Sequence, residues 1–292
     1  MLNFVRLNKS TLNAIPLAGL LILIILAGVA CEKMCQPCEP YIIMYAFAEE
    51  GELLAAEMTV DRTEKILGRT VRIGQLAGKD IVLAESGVGM TNAAMTTQKL
   101  IDMFAPRGLI FTGIAGAVDT IVNIGDIVVC DRWATHDYGY IGAEGFQSGG
   151  IKVYPYGSDS MVRKVYFETD SAMFATAGKL NSSGLVFDSI GSHVPKLLVS
   201  GVGVSGDCFI DQVEKRLWLS ENFGALTTDM ESSAVAQVCD INGLPFIIFR
   251  SASDLAGGSG SASARIEMDQ FFKTAARNSA LVVLKYLDSL EQ

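Results

Sequence analysis

Three short groups of residues stand out by type and placement. Glu49 and Glu50 follow the apolar run Tyr41–Phe47, Asp229 and Glu231 flank Met230, and Ser253 precedes Asp254. Carboxyl groups in different surroundings can take opposite tasks in one reaction, one as general acid and one as general base. Each group also has an ordinary reading. Two acids after a strand suit the start of a solvated helix, favoured by its dipole, and Asp229, Glu231 and Asp254 could serve as helix caps. Joint placement changes the balance, because three acids fall on three strand ends of one sheet. Separate carboxylates meeting in one cleft are what glycosidic bond cleavage requires: an acid for the leaving group, a base for water, and acceptors for sugar hydroxyls.

The elements that must position these residues can be read from the apolar pattern. Tyr41–Phe47, Val71–Leu76, Asp80–Glu85, Gly108–Thr112, Asp126–Asp131, Lys196–Val202 and Pro245–Arg250 read as strands, most of them continuously apolar as buried strands are. Thr91–Met103, Met161–Lys179, Glu231–Asn242 and Ile266–Leu290 read as helices. Tyr138–Asp159 is polar, rich in Gly and Tyr, and without a clean period. The alternation predicts an α/β fold: one domain over residues 41–292, a mixed, mostly parallel central sheet, and helices on both faces. In such sheets ligands bind beyond the carboxyl ends of the strands. That directs attention to Ser86-Gly-Val-Gly89, Thr112-Gly-Ile-Ala-Gly116 and Gly201-Val-Gly-Val-Ser-Gly-Asp207 besides the acids.

Rival chemistries fit less well. Gly201-x-Gly203-x-x-Gly206 matches a dinucleotide fingerprint, but Asp207–Asp211 extends the loop before any helix opens. Ser205 lacks the Gly-x-Ser-x-Gly spacing of a hydrolase elbow. His136, beside Asp137, reads as ordinarily hydrogen-bonded. With His136 and His193 as the chain's two histidines, a His-built metal centre is not expected, and no cofactor is implied. Cys130, Cys208 and Cys239 sit in apolar runs and read as small core residues.

The 292 residues carry a formal net charge of −9, which gives no broad attraction to phosphate backbones, so nucleic acid is not an expected partner. Arg6 and Lys9 precede the uncharged run Ala14–Ala30, the pattern of a signal segment over residues 1–30. It ends Leu-Ala-Gly-Val-Ala-Cys31, close to a bacterial lipobox except for Gly28. Three readings stay open: lipidation at Cys31, plain export, or an uncleaved membrane anchor. Residues 31–40 form a Cys- and Pro-rich tether, in which Cys35 and Cys38 could pair in an oxidising compartment. The location implied is periplasmic or membrane-anchored.

Seven motifs in sequence order then resemble one family. Ala46-Phe-Ala-Glu-Glu50, Glu85-Ser-Gly-Val-Gly89, Thr112-Gly-Ile-Ala-Gly116, Gly125-Asp-Ile-Val-Val129, Ser205-Gly-Asp-Cys-Phe-Ile210, Asp229-Met-Glu231 and Arg250-Ser-Ala-Ser-Asp254 resemble the purine nucleoside phosphorylase/uridine phosphorylase superfamily, most of all its 5′-methylthioadenosine/S-adenosylhomocysteine nucleosidases. The resemblance runs from about Tyr41 to the C-terminus. It implies a purine nucleoside substrate, with Asp254 protonating the departing base, oriented by Ser253. Glu50 would activate water, with Ser86 and Arg250 around it. Glu231 would grip the ribose hydroxyls, Met230 would pack on the sugar, Phe209 would stack on the base, and the Ile210 backbone would read its edge. A homodimer is implied too, with the region around Met268 as the donor to a neighbouring pocket.

Phosphorylases that this chain resembles place an arginine just before the Thr112-Gly113 position, where Phe111 stands here. With Glu49-Glu50 in the first loop, the resemblance favours hydrolysis over phosphorolysis. A storage or surface-binding relative on the same scaffold would not need Glu50, Glu231 and Asp254 together. Tyr138, Tyr140, Tyr154 and Tyr156 are expected to reshape the sugar end of the pocket. The Gly- and Ser-rich stretch Leu255–Ala264 resembles secreted and plant storage-type relatives more than cytosolic bacterial enzymes.

Overall fold

The computed structural model describes residues 39–180 and 184–290; the leader, Cys31, Cys35 and Cys38 lie outside them. The chain runs β1 (Tyr41–Tyr45), α1 (Ala48–Glu57), β2 (Thr59–Ile66), β3 (Arg69–Leu76), β4 (Lys79–Glu85), α2 (Met90–Phe104), β5 (Gly108–Ala117), β6 (Ile127–Val129) and β7 (Arg132–Thr135). Two small hairpins follow, β8 (Gly139–Gly142) with β9 (Gly145–Ser148), and β10 (Ile151–Val153) with β11 (Val162–Lys164). The remainder is β12 (Tyr166–Glu168), α3 (Ser171–Lys179), β13 (Leu197–Val199), β14 (Val202–Ser205), α4 (Val213–Phe223), β15 (Ala225–Asp229), α5 (Ser232–Asn242), β16 (Phe246–Leu255) and α6 (Ala264–Ser289).

One mixed sheet dominates, in the order β12-β7-β14-β15-β5-β1-β4-β3-β2, with β16 paired to β5 and β6, and β13 to β6. β1 lies parallel between β4 and β5, and β14 lies parallel between β7 and β15. Antiparallel pairs occur at the edges, between β5 and β15, and between β6 and β16. The continuous apolar runs arise because both faces are covered. Ile42 and Met44 join one core cluster while Ile43 and Tyr45 join another, and Phe246 and Ile248 alternate likewise with Ile247 and Phe249. α2 and α5 close the first face through Ala93, Leu100, Val235 and Cys239. α1 and α6 close the second through Leu54, Val283 and Tyr286. Each fully buried aliphatic or aromatic side chain contributes about 1.5–3 kcal/mol.

Several expectations need correction. Met161–Lys179 is not one helix: β11 and β12 precede α3, which is held to Ser171–Lys179. Val162, Val165, Tyr166 and Phe167 are β-branched or aromatic, Phe167 is buried in the core, and Asp170 caps α3 by accepting from the Ala172 and Met173 amides. Lys196–Val202 is two strands in separate places, split at Gly201, whose φ of 81° breaks the run. Thr112–Gly116 and Ser253-Asp254 are not loops but lie inside β5 and β16. Cys208 is exposed rather than core. The polar edge strand β2 and the short helix α4 carry too weak an apolar period to be read from sequence.

Candidate active site

The sheet opens where β1 and β5 part. Their pairing ends at Met44 and Phe111; β1 turns into α1 while β5 continues beside β16 and reaches β15. That divergence leaves amides of both strand ends without a ladder partner, and Glu50 takes them. Its Oε2 accepts from the amides of Ala46 (2.6 Å) and Phe47 (3.4 Å), and its Oε1 from Ile114 (2.7 Å). Glu50 therefore sits in the first turn of α1 but is buried, not solvated.

Arg250 holds the acids together from beneath. Its side chain has no exposure, and its guanidinium lies over the Phe111 ring with its carbon 4.3 Å from the centroid. Its Nε is 2.8 Å from Asp229 Oδ2, its Nη2 is 3.2 Å from Glu231 Oε2, and its Nη1 is 3.7 Å from Glu50 Oε1. Asp229 is itself saturated. Its Oδ1 accepts from Ser205 Oγ and from the amides of Glu231 and Ser232, and its Oδ2 also takes the Ser232 hydroxyl. Asp229 thus fastens the start of α5, which swings Glu231 over the sheet. Glu231 Oε1 accepts from the Gly89 amide at 2.9 Å, at the head of α2.

Asp254 stands apart from this network. Ser253 Oγ donates to its Oδ2 at 2.8 Å, and Oδ1 is buried without a hydrogen-bond partner. β16 shifts register between Ala252 and Asp254, a bulge of the kind that re-aims a side chain. The glycines of β5 make room: a Cβ at Gly116 would stand 2.9 Å from Asp254 Oδ1, and one at Gly113 would strike Glu50 Oε1 and Arg250 Nη1.

These groups share one cavity of about 360 Å³. Glu50, Phe209, Met230, Glu231, Ser253 and Asp254 line it, and Ile210 lines a small recess beside it. Arg250 lies under the floor. Ser86 is buried outside the lining, its hydroxyl donating to the Gly87 carbonyl at 3.0 Å. Phe47, Val88, Thr228, Met268 and Phe272 also line the cavity and add its apolar wall. Met268 and Phe272 are four apart on α6, an i,i+4 signal present in the sequence. Met268 lines the cavity of its own chain. Tyr138, Tyr140, Tyr154 and Tyr156 are all exposed and stand outside the lining of this cavity. His136 is buried with neither ring nitrogen bonded, contrary to the ordinary hydrogen bonding expected of it.

Burial sets the electrostatics. It raises Glu50 to about 6, against the pull of Arg250 and the three amides. It raises Glu231 to about 7, with Arg250 opposing and Asp229 adding to the rise. It raises Asp254 to about 7; the Ser253 hydroxyl opposes this, while Glu267 and Asp211 reinforce it. Among the described residues no group of His, Cys, Asp and Glu has the arrangement of a metal site.

A mixed α/β sheet whose strand ends bring three acids to one cavity is the architecture of a nucleoside-handling fold. The chain belongs to the phosphorylase superfamily, whose family model matches residues 40–288. A 5′-methylthioadenosine/S-adenosylhomocysteine nucleosidase of Bacillus thuringiensis is 31% identical over 250 residues, covering 85% of this chain and 98% of that protein. Among solved structures, futalosine hydrolase of Helicobacter pylori matches with a TM-score of 0.73 at 26% identity, over 88% of this chain and all of that one. The Neisseria meningitidis 5′-methylthioadenosine/S-adenosylhomocysteine nucleosidase, in complex with methylthio-immucillin-A, matches with a TM-score of 0.71 at 29% identity, over 86% of this chain and all of that one.

Proposed function

We propose that this protein is an N-ribosyl hydrolase that cleaves adenine nucleosides of the methylthioadenosine and S-adenosylhomocysteine type to free base and sugar. The observation that carries the reading is the pairing of Asp254, with its buried and unpartnered Oδ1, and Glu50 in the same cavity. A purine anion is a poor leaving group, so ring protonation must accompany bond breaking. Asp254, raised to about 7, keeps a proton near neutrality and delivers it through Oδ1 to the five-membered ring of the base. Ser253 holds Oδ2 and fixes which oxygen faces the base. Glu50, lower at about 6, is the more ionised of the two near neutrality, so it is the one free to take a proton from the attacking water and to favour the positive charge developing on the sugar.

Glu231 offers acceptors to the ribose hydroxyls, Met230 packs against the sugar, Phe209 stacks on the base, and the Ile210 backbone reads its edge. The apolar wall of Phe47, Val88, Met268 and Phe272 suits the apolar thioether part of a 5′ substituent. Water is favoured over phosphate by the lining, which carries Glu49, Glu50, Asp229, Glu231, Asp254 and Asp269 and, among the described residues, no lysine or arginine. Phe111 is buried beneath Arg250, whose charge is taken by three carboxylates. The test is base release from a nucleoside panel with and without phosphate. Release from methylthioadenosine at equal rates in both supports hydrolysis; strict dependence on phosphate rejects it.

Export is part of the proposal and rests on Arg6, Lys9, the Ala14–Ala30 run and the lipobox-like end at Cys31. Metabolic labelling with palmitate, lost in C31S, checks lipidation. A homodimer is supported by Val88 and Phe209, cavity residues left 48% and 42% exposed, which a second copy would cover. Sizing in solution tests it.

A further inference from the structure

The segment from Leu255 to Ser263 joins the Asp254 strand to α6 and carries Gly257, Gly258 and Gly260, all at positive φ. So glycine-rich a loop loses much conformational freedom on ordering and does little to hold itself. A single buried side chain grips both of its sides. Glu267, in the first turns of α6 and 4% exposed, accepts from the Leu255 amide through Oε2 and from the Ser259 amide through Oε1, each at 2.9 Å. Asp211 adds a second tie by accepting from the Ala264 amide at 2.8 Å. The same loop reaches the base-reading side, since Gly257 donates its amide to the Ile210 carbonyl at 3.2 Å.

We propose that Glu267 is a positioning residue: its carboxylate clamps the strand end bearing Asp254 to the head of α6. The acid, the Ile210 backbone and the cavity wall formed by Met268 and Phe272 are thereby held as one unit, with a fixed negative charge beside the acid. Both oxygens accept, so a glutamine in this place keeps at most one of the two amide bonds, because its NH₂ group cannot accept, and it removes the charge as well. The charge matters because Glu267 and Asp211 are the two groups that reinforce the rise of Asp254 produced by burial. The other charged groups around the shared cavity are Asp269 on α6, Glu49 and Glu50 on α1, Asp229 and Glu231 at the end of β15, and Arg250 below.

The inference rests on Asp254 being the acid, and the test separates the two. The full-length protein is labelled with ¹³C at the aspartate carboxyls, and the Asp254 signal is assigned by its loss in D254N and titrated in wild type and E267Q. E267Q is expected to lower the Asp254 midpoint by about 0.5 or more in pH and to displace the alkaline limb of kcat/KM in the same direction. An unmoved midpoint in folded E267Q overturns the proposal whether or not any nucleoside is cleaved. A wild type that releases no base rejects the nucleosidase reading, while the titration still decides the role of Glu267. Should E267Q not fold, amide exchange in the wild type decides: a protected Ser259 amide supports the clamp, and exchange at the free-peptide rate overturns it.

Discussion

Ser253 and Asp254 are adjacent on β16, and the serine hydroxyl bonds only one oxygen of the aspartate, Oδ2 at 2.8 Å, leaving Oδ1 buried and bare. A buried oxygen without a partner is costly to maintain, so its persistence points to a ligand atom that completes it. The cavity beside Gly116 is where that atom would sit.

Asp254→Asn removes the transferable proton while keeping the shape. Base release from the best nucleoside is expected to fall by about 10²–10⁴-fold, the range of general acid catalysis, with circular dichroism unchanged. Near-normal turnover would dispose of the acid role.

The same substitution makes a stability prediction of definite sign. The folded state raises Asp254 from its ordinary 3.8 to about 7, so it holds the proton more tightly than the unfolded chain does. The stability linked to that proton is fully present below about pH 3.8 and is lost as pH rises through about 7. D254N should therefore melt a few degrees above wild type at pH 8, with the gain vanishing toward pH 4. Thermal scans at the two pH values check this.

The pH profile of kcat/KM should be bell-shaped and narrow. It rises as Glu50 ionises near 6, with Glu231 near 7 adding to that limb, and falls as Asp254 ionises near 7. In E50Q the part of the rise near pH 6 should disappear while the alkaline limb stays. An acid limb unchanged in E50Q contradicts the assignment of the base.

Arg250 lies 2.8 Å from Asp229, 3.2 Å from Glu231 and 3.7 Å from Glu50 at a site without solvent, and offers them one shared positive charge. R250M keeps much of the apolar stem but strands those charges. Urea denaturation should show a loss of about 3–5 kcal/mol, the cost of breaking a buried ion pair from one side. A loss below about 1 kcal/mol would mean that the carboxylates are neutral or otherwise compensated.

What could be read from the residues alone follows from physics. Ile42, Ile43, Phe246 and Ile247 announce buried strands because both sheet faces are covered, and the acids at 50, 231 and 254 could be placed near strand ends. The full length of β5 and β16 was hidden, since both strands continue through glycines and serines that look like loop. Tyr166 and Phe167 were absorbed into an apparent helix because their strand, β12, spans only Tyr166–Glu168 and is defined by its pairing to β7, far away in sequence. Arg250 was legible as a member of a motif, but its three carboxylate partners depend on tertiary packing. Glu267 left no trace at all, because it acts on backbone amides.

The most direct measurement of the central claim is the fate of oxygen during cleavage. The full-length protein is given methylthioadenosine in ¹⁸O-water containing inorganic phosphate, and the released sugar and base are weighed by mass spectrometry. One ¹⁸O at the anomeric carbon, adenine in equal amount, and formation of both slowed by about 10²-fold or more in E50Q and D254N is the predicted result. A sugar phosphate without ¹⁸O, or E50Q and D254N forming both products at wild-type rates, would contradict it.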